Sequence, residues 1–277
     1  MPAPGEAVTV TELVYRTVPG ADLPATLYTP RADGPFPAAV YVHGGTWVGG
    51  SRFSNEATVR ELAANGVTVL AIDFRMPPTA RYPAPVSDVG SAISWLKRHA
   101  DQAKTAPGLV GGLGFSSGGH QLMLAAMRPR DPRYRDPDPA DFDASLAFAA
   151  LCYAVLDPLE RYRMARREAK SALLAGHAAY WPSEGDMDEG SPQRILERGE
   201  SAVLPPILAI QGRDDQNLTP DMADRFVAAY RRRGGSAELA VYDSAPHGFL
   251  RKHPDSAAAG DAGRRMTRFL QGFGDAQ

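Results

Sequence analysis

The chain has 277 residues, of which 44% are hydrophobic and 22% charged, a composition typical of a globular domain that buries a large core without disulfides. Its formal net charge of −2 and its single cysteine, Cys152, exclude the strongly basic surface of a nucleic-acid or anionic-membrane binder and any disulfide within the chain. No apolar run reaches the roughly 18 residues of a membrane span, and residues 1–6 lack the basic start of a secretion signal, so we expect a soluble, cytoplasmic protein.

Strands and helices alternate along almost the whole chain. Residues 11–18 and 23–29 alternate polar and apolar side chains around Pro19-Gly20, which predicts an antiparallel hairpin at a sheet edge. The further predicted strands are residues 37–42, 66–74, 108–115, 145–155, 204–211 and 237–242, and the predicted helices are residues 55–64, 87–99 with Ser87 as N-cap, 118–127, 220–233 and 257–273. Apolar strands separated by helices indicate an α/β fold with a mostly parallel, doubly wound sheet.

Two stretches interrupt this alternation. Residues 128–143 are rich in Pro, Arg and Asp, which predicts a surface loop. Residues 157–200 are longer than a crossover helix requires, and we expect a cap or lid over the carboxyl edge of the sheet, embedded in a single domain of residues 1–277. The arginines within residues 161–167 and 231–233 lie near acidic residues on predicted helices, which is typical of solvent-exposed helix faces.

The sequence Gly114-Phe-Ser-Ser-Gly118 lies between a predicted strand and a predicted helix. It fits the pattern G-x-S-x-G, in which small residues permit a tight, strained turn that exposes the central serine hydroxyl. Ser116 is therefore the candidate nucleophile. The N-terminus of the following helix offers backbone N–H groups to an anion, and that of Ser117 would point into the same space.

Acyl transfer also needs a general base and a group that orients this base. His247 follows the last predicted strand and is the candidate base, while His177 in the predicted cap is its main competitor. Asp214 and Asp215 follow the strand at residues 204–211, and adjacent residues in a turn point in different directions. We favour Asp215 as the group that orients His247, over Asp214 and over Asp243.

Donors for the oxyanion are expected in the sequence Tyr41-Val-His-Gly-Gly-Thr-Trp47, which follows a predicted buried strand. Consecutive glycines let the backbone approach a ligand with its N–H groups exposed. The predicted donors are backbone N–H groups from Gly44, Gly45 or Thr46 together with that of Ser117. His43 lacks companion ligands at metal-binding spacing, so we expect no metal site.

The order of these pieces, from glycine loop to Ser, Asp and His, matches that of α/β-hydrolases. The chain resembles α/β-hydrolase-fold serine esterases of the branch with an HGG motif, which includes hormone-sensitive-lipase-like, feruloyl esterase-like and kynurenine formamidase-like enzymes. The resemblance runs from about residue 11 to residue 273, and its motifs are VHGGTW (42–47), AIDFR (71–75), YPA (82–84), GFSSGG (114–119), GRDD (212–215) and PHGF (246–249). Thr46 replaces the third glycine of the common HGGG motif, and Phe115 replaces the commoner acidic residue before the serine.

The sequence therefore predicts a serine carboxylesterase that hydrolyses small, short-chain or aromatic carboxylic esters through an acyl-enzyme, without metal or organic cofactor. Amide or formamide hydrolysis by the same triad is one alternative, and a non-catalytic small-ligand receptor on the same fold is another. Five aromatic residues are candidates for the substrate pocket, namely Trp47, Phe115, Tyr180, Trp181 and Phe249. The expected partner is a small-molecule ester, with neither nucleic acid nor membrane.

Overall fold

A central eight-stranded sheet organises the computed structural model, which describes residues 7–135 and 142–274. Its strands are β1 (Val8–Val18), β2 (Ala21–Pro30), β3 (Ala38–Val42), β4 (Thr68–Ile72), β5 (Val110–Phe115), β6 (Ala149–Cys152), β7 (Ile207–Gly212) and β8 (Ala237–Tyr242). They lie in the order β1-β2-β4-β3-β5-β6-β7-β8. Pairing is antiparallel from β1 to β2 and from β2 to β4, and parallel between all later neighbours.

The antiparallel pair β1–β2 is the hairpin that the alternating pattern predicts. A tight turn joins the strands, and its Gly20 adopts a φ of 82°, which a residue without a Cβ reaches at little cost. The register shifts between Val14 and Arg16, as at a β-bulge in an edge strand.

Helices cover both faces of the parallel part of the sheet, whose four central strands are buried along their whole length. The helices are α1 (Glu56–Ala64), α2 (Ala84–Arg98), α3 (Ser117–Met127), α4 (Pro158–Arg167), α5 (Ser171–Tyr180), α6 (Glu184–Glu189), α7 (Pro192–Glu197), α8 (Met222–Arg232), α9 (Phe249–Lys252) and α10 (Ala257–Gln271). Strands buried on both faces need apolar side chains at every position rather than at alternate ones, which is why their sequences read as continuous apolar runs. Cys152 ends β6 fully buried, and burial raises the pKa of its thiol.

The predicted start of α2 is wrong by three residues. The helix begins at Ala84 after Pro83, and Ser87 lies within it and accepts a hydrogen bond from Arg16 Nη1 at 3.1 Å instead of capping it. A serine side chain makes a better cap than proline does in isolation. Here a proline in the first turn, Pro85, occupies a position where its missing N–H costs nothing.

Residues 157–200 fold into the four helices α4 to α7. Asp157, Ser183 and Ser191 cap α4, α6 and α7 by accepting hydrogen bonds from backbone N–H groups in their first turns. The role of this segment as a cap stays a prediction. Of the predicted loop at 128–143, residues 136–141 lie outside the described residues, as do residues 1–6.

Within residues 7–135 and 142–274, none of the helices has both the length and the apolar character needed to cross a membrane.

Candidate active site

Ser116 lies on the turn between β5 and α3, with a φ of 53° and a ψ of −121°. This backbone conformation is strained for a residue with a Cβ. Two hydrogen bonds hold it, because Ser116 N–H donates to Cys152 O at 2.9 Å and Ser116 O accepts from Val155 N–H at 3.1 Å. The strain is thus supported by Cys152 at the end of β6 and by Val155 in the segment that follows.

The glycines around Ser116 are required by close backbone packing. A Cβ on Gly114 would lie 2.6 Å from Gly119 Cα, and a Cβ on Gly118 would lie 2.2 Å from Val42 O. Real Cβ atoms do not tolerate such distances, so β3, β5 and the start of α3 can approach this closely only with glycine at these positions.

Three side chains from three separate loops form a continuous hydrogen-bonded chain. Ser116 Oγ lies 2.8 Å from His247 Nε2, and His247 Nδ1 lies 2.7 Å from Asp215 Oδ2. The carboxylate accepts the Nδ1 proton, which leaves Nε2 free to accept a proton from the serine. The structure therefore brings together the three residues that the sequence predicts as nucleophile, base and orienting acid.

Asp215 is fixed by further donors. Its Oδ1 accepts from the backbone N–H groups of Asn217 at 2.8 Å and Leu218 at 3.2 Å, and its Oδ2 accepts from Gln211 Nε2 at 3.0 Å. Burial alone would raise the pKa of this carboxyl, but the interactions with His247, Asn217 and Gln211 outweigh burial and hold the pKa below its usual value. Asp215 is therefore ionised and aligned against His247.

The alternative acids and bases lie elsewhere. Asp243 pairs with Arg213 at 3.3 Å on the surface, and Asp214 borders a separate depression. His177 Nε2 lies 3.5 Å from Arg161 Nη1, and burial lowers the pKa of His177 to about 2. None of these side chains contacts Ser116.

The loop after β3 carries a run of unusual backbone conformations. Gly45, Thr46 and Trp47 have φ values of 136°, 56° and 64°. A Cβ on Gly45 would lie 1.9 Å from Gly49 O, so this loop closes on itself only with glycine at position 45. Trp47 N–H donates to Ser117 Oγ at 3.1 Å, which fastens the loop to the first turn of α3.

The predicted oxyanion donors remain available for a ligand. Among the residues that the structure describes, the backbone N–H groups of Gly44, Gly45, Thr46 and Ser117 donate no hydrogen bond. Gly44 lies against the nucleophile, because a Cβ there would be 3.0 Å from Ser116 Cβ. Free backbone donors beside a serine hydroxyl are the arrangement that stabilises a tetrahedral oxyanion.

Behind this loop, Trp47 packs in a sealed group of side chains that we call the Trp47 cluster. Its members are Trp47, His120, His177, Tyr180, Trp181 and Arg161. Trp47 stacks on Tyr180 with ring centroids 5.1 Å apart, and its Nε1 donates to His120 Nδ1 at 3.2 Å. Helix α5 presses directly on the loop, because a Cβ on Gly176 would lie 2.4 Å from Thr46 Cγ2.

Arg161 corrects the prediction that the arginines of residues 161–167 lie on a solvent-exposed face. Its side chain is fully buried, with Nε donating to Asn217 O at 3.0 Å and Cζ 5.3 Å from the Trp47 ring centroid. Burial lowers the pKa of the guanidinium to about 10, and the nearby Asp215 charge partly offsets this effect. Arg161 is therefore a buried cation that contacts two parts of the structure. One is the loop that carries Asp215, which we call the acid loop. The other is the Trp47 cluster, which lies behind the loop after β3, called the oxyanion loop below.

A cavity of about 360 Å³ opens at Ser116 and His247. Its other lining residues are Gly44, Gly45, Thr46, Gly50, Ser54, Asn55, Phe115, Tyr153, Asn217, Gly248, Arg251 and Lys252. Most of these side chains are polar, and the cavity lies directly between the nucleophile and the loop with free N–H groups. Substrate would reach Ser116 through this space.

The predicted aromatic pocket stays a prediction, and the structure places its five candidates in different surroundings. Only Phe115 of the five candidates lines the cavity. Trp47, Tyr180 and Trp181 lie in the Trp47 cluster, and Phe249 is buried against Tyr153 and Tyr242, with ring centroids 5.9 Å and 5.6 Å apart. A sequence gives the size and polarity of an aromatic residue, but the packing of distant elements decides whether the ring faces a cavity or the core.

Sequence reasoning missed Tyr153, Asn217, Arg251 and Lys252 as cavity residues. Tyr153 follows β6 with a φ of 41°, and its ring centroid lies 5.0 Å from that of His247. Burial raises the pKa of Tyr153 well above its ordinary value, so its phenol stays neutral. No local motif marks these residues, although their positions one to three residues beyond a strand end or a catalytic motif were a usable signal.

No three His, Cys, Asp or Glu side chains lie close enough together to hold a metal ion in the described part of the chain.

Comparison with known proteins identifies the family. A family model described as an alpha/beta hydrolase fold matches residues 39–251, so the chain belongs to this family, which confirms the predicted fold. The chain is 28% identical over 261 residues to carboxylic ester hydrolase LipN of Mycobacterium tuberculosis, covering 90% of this chain and 66% of LipN. It is 30% identical over 244 residues to esterase LipC of the same organism, covering 85% of this chain and 58% of LipC.

The chain thus spans less than two thirds of the length of these curated relatives. Among solved structures, the propionate-bound esterase Est2 of Thermogutta terrifontis matches with a TM-score of 0.77 and 24% identity, covering 98% of this chain and 97% of that one. This likeness supports the same fold over nearly the whole chain.

Proposed function

We propose that this protein is a serine carboxylesterase that hydrolyses small carboxylic esters through an acyl-enzyme on Ser116. One observation carries the proposal: the hydrogen-bonded chain from Ser116 Oγ through His247 to Asp215 opens on a cavity bordered by free backbone N–H groups. The names of LipN and LipC, both esterases, agree with this activity.

The geometry supports a two-step reaction. Ser116 Oγ attacks the ester carbonyl while His247 Nε2 takes the hydroxyl proton, and Asp215 stabilises the imidazolium that forms. The carbonyl oxygen becomes an oxyanion, for which N–H groups of Gly44, Gly45 or Thr46 and that of Ser117 are the proposed donors. Collapse of this intermediate breaks the bond to the alkoxide, which leaves as the alcohol with the proton from His247.

Water then resolves the acyl-enzyme by the same steps in reverse. His247 Nε2 accepts a proton from the water, whose oxygen attacks the acyl carbonyl, and the second tetrahedral intermediate expels Ser116 Oγ. The proton returns to the serine, and the carboxylic acid leaves. Every proton in the cycle passes through His247, so no metal or organic cofactor is required by this chemistry.

The size of the cavity supports short substrates. A space of about 360 Å³ lies at the low end of small-molecule pockets. Helices α4 to α7 provide the proposed cap at residues 157–200, since α5 and Arg161 contact the oxyanion loop and the acid loop. The cytoplasmic location stays a prediction from the sequence.

Hydrolysis of p-nitrophenyl acetate, butyrate and octanoate tests the proposal. We expect turnover that falls from the short to the long acyl chain, and loss of turnover by about 10⁴-fold or more in Ser116→Ala. Ser236→Ala is the control, because Ser236 is an exposed serine outside the cavity lining and outside the hydrogen-bonded chain. Equal rates in wild type and Ser116→Ala would refute the proposal.

Two alternatives remain as outcomes of the same assays. If the esters are inert while N-formylkynurenine or another amide is hydrolysed through Ser116, the enzyme is an amide hydrolase with the same triad. If neither class reacts and Ser116 fails to label with a fluorophosphonate, a receptor function replaces the catalytic one.

A further inference from the structure

Two cationic side chains line the mouth of the cavity. Arg251 and Lys252 end the short helix α9, which starts two residues after His247. Both are exposed to solvent, and both border the same cavity as Ser116 and His247. Neither Asp nor Glu occurs among the described residues that line this cavity, so its lining carries two positive charges and no formal negative charge.

Neither cation has a side-chain partner among the described residues. Within residues 7–135 and 142–274, no carboxylate lies within 4.0 Å of Arg251 or Lys252, and neither side chain makes a hydrogen bond. Exposed arginines on the adjacent α10 behave differently, since Arg264 and Arg265 both pair with Asp261, at 3.6 Å and 2.8 Å. No carboxylate of the described residues thus competes with an anion from solution for these two cations.

Local geometry directs both charges toward the site. A Cβ on Gly248 would lie 3.5 Å from Lys252 Cε and 3.9 Å from its Nζ, so the ammonium folds back over the residue next to His247. The Arg251 charge acts on the phenols of Tyr41 and Tyr153, lowering pKa values that burial raises. Arg251 and Tyr153 line the same cavity.

The remaining lining residues suit a polar substrate. Ser54, Asn55 and Asn217 contribute hydroxyl and amide groups, and Phe115 and Tyr153 are the only aromatic side chains besides His247 among the described lining residues. An arginine and a lysine together offer several donors to the two oxygens of a carboxylate, and such charge-assisted hydrogen bonds are stronger than neutral ones.

We propose that the preferred ester carries a carboxylate, on its acyl or its alcohol part, that Arg251 and Lys252 bind at the mouth of the cavity. This inference rests on the proposed esterase function. The enzyme would thus act on half-esters of small dicarboxylic acids or on acyl esters of small hydroxy acids.

Two matched pairs of esters test the inference and separate these sources of the anion. For the acyl side, monomethyl succinate is compared with methyl levulinate, in which a methyl ketone replaces the carboxylate. For the alcohol side, 3-acetoxypropionate is compared with 4-acetoxy-2-butanone. We expect the anionic member of one pair to have a kcat/KM higher by about tenfold or more, as for one charge-assisted hydrogen bond.

Substitution of the two cations tests whether they cause the preference for anionic esters. In the double variant Arg251→Gln/Lys252→Gln, the ratio of anionic to neutral kcat/KM should fall about tenfold, chiefly through KM, and charge reversal to Glu should invert it. Arg232→Gln is the control, because Arg232 is an exposed cation at the end of α8, outside the cavity lining, and the ratio should not change. Rising ionic strength should also reduce the ratio.

The outcomes distinguish this inference from the esterase proposal. If the neutral esters react as well as the anionic ones, or the double variant keeps the wild-type ratio, the inference fails while the esterase function stands. If all four esters and p-nitrophenyl acetate are inert, the esterase function fails and the inference falls with it.

Discussion

The loop after β3 borders two regions that use similar side chains in different ways. Gly44 to Thr46 line the cavity, where His247 lies against Ser116 and the cations of α9 face solvent. Trp47 instead enters the Trp47 cluster, where His120 and the cation Arg161 are sealed from solvent. His120 and Arg161 bind backbone carbonyls in the second region, whereas we propose that His247 and Arg251 act on a ligand in the first, where the cavity gives access.

A substitution in the acid loop should give the largest effect on catalysis. Asp215→Asn keeps the shape of the side chain but cannot stabilise the imidazolium, so we expect kcat to fall by about 10⁴-fold. Asp214→Asn alters the neighbouring residue, which lies outside the chain of hydrogen bonds, and should change kcat less than about twofold. Steady-state hydrolysis of p-nitrophenyl acetate measures both, and comparable losses would show that Asp215 is not the orienting acid.

The loop between the two regions should be sensitive to one added methyl group. Gly45→Ala combines a φ of 136° with a Cβ only 1.9 Å from Gly49 O, so the loop must move and its N–H groups must turn. We expect kcat to fall about 10²- to 10³-fold, as for the loss of an oxyanion donor.

Gly20→Ala is the matched control for Gly45→Ala. Gly20 also has a positive φ, 82°, but a Cβ there meets nothing within 4 Å. Its substitution should cost stability of about 1 kcal/mol through backbone strain and leave kcat unchanged. Thermal unfolding of both variants separates a local loop effect from a loss of folded protein, and normal kcat in Gly45→Ala would contradict the assignment of this loop.

The buried histidines of the Trp47 cluster should make the free energy of unfolding depend on pH. Burial lowers the pKa of His120 from 6.5 to about 4 in the folded chain. Above pH 6.5 this histidine is neutral whether the chain is folded or not, and below it the unfolded chain binds a proton that the folded chain excludes. The free energy of unfolding should therefore fall by about 3 kcal/mol from pH 6.5 to pH 4 through His120 alone.

Urea unfolding across this pH range measures the effect of His120. His120→Gln, which retains a donor and an acceptor for Gly190 O and Trp47 Nε1, should remove the contribution of His120 and leave that of the buried His177. His253→Gln changes an exposed histidine and should leave the dependence as in the wild type. An unaltered slope in His120→Gln would show that this residue titrates normally in the folded protein.

Arg161 should give the smallest catalytic effect, because it acts on the acid loop through a backbone carbonyl. Arg161→Met removes the hydrogen bond to the backbone carbonyl of Asn217. The backbone N–H of the same residue donates to Asp215, so the change reaches the carboxylate. We expect kcat to fall about tenfold with little change in KM, since the carboxylate is less well aligned. Arg163→Met, an exposed arginine on the same helix, is the control, and equal kinetics in the two variants would leave Arg161 a purely structural role.

Local residue spacing explains why the sequence predicts the strands, the tight turn at Ser116 and the three hydrogen-bonded residues. Each of these depends on a few neighbouring residues, such as the glycines around Ser116 or the strand that ends before Asp215. The cavity lining depends instead on which distant elements meet. Tyr153, Asn217 and Arg251 come from three separate loops or helices, and no periodicity in their surroundings reports that they share a cavity.

Burial in the Trp47 cluster also depends on which distant elements meet, so the local sequence does not predict it. Arg161 occupies a helix with exposed arginines at positions 163, 166 and 167, and the local composition is that of a solvated face. Contacts of Arg161 with Trp47, with His177 and with the acid loop accompany its burial. The aromatic residues at 47, 180 and 181 are buried for the same reason, and nothing in their local sequence distinguishes such packing from a place in the substrate pocket.

The contact between Gly176 and Thr46 sets a rule for exchanging segments with other members of the family. Because a Cβ on Gly176 would collide with Thr46, the sequence of α5 and that of the loop after β3 must match as a pair. A chimera that imports residues 157–200 with a larger residue at position 176 would displace the loop beside the nucleophile. Donor segments should therefore be chosen by the residue that faces position 46 before length or overall identity is considered.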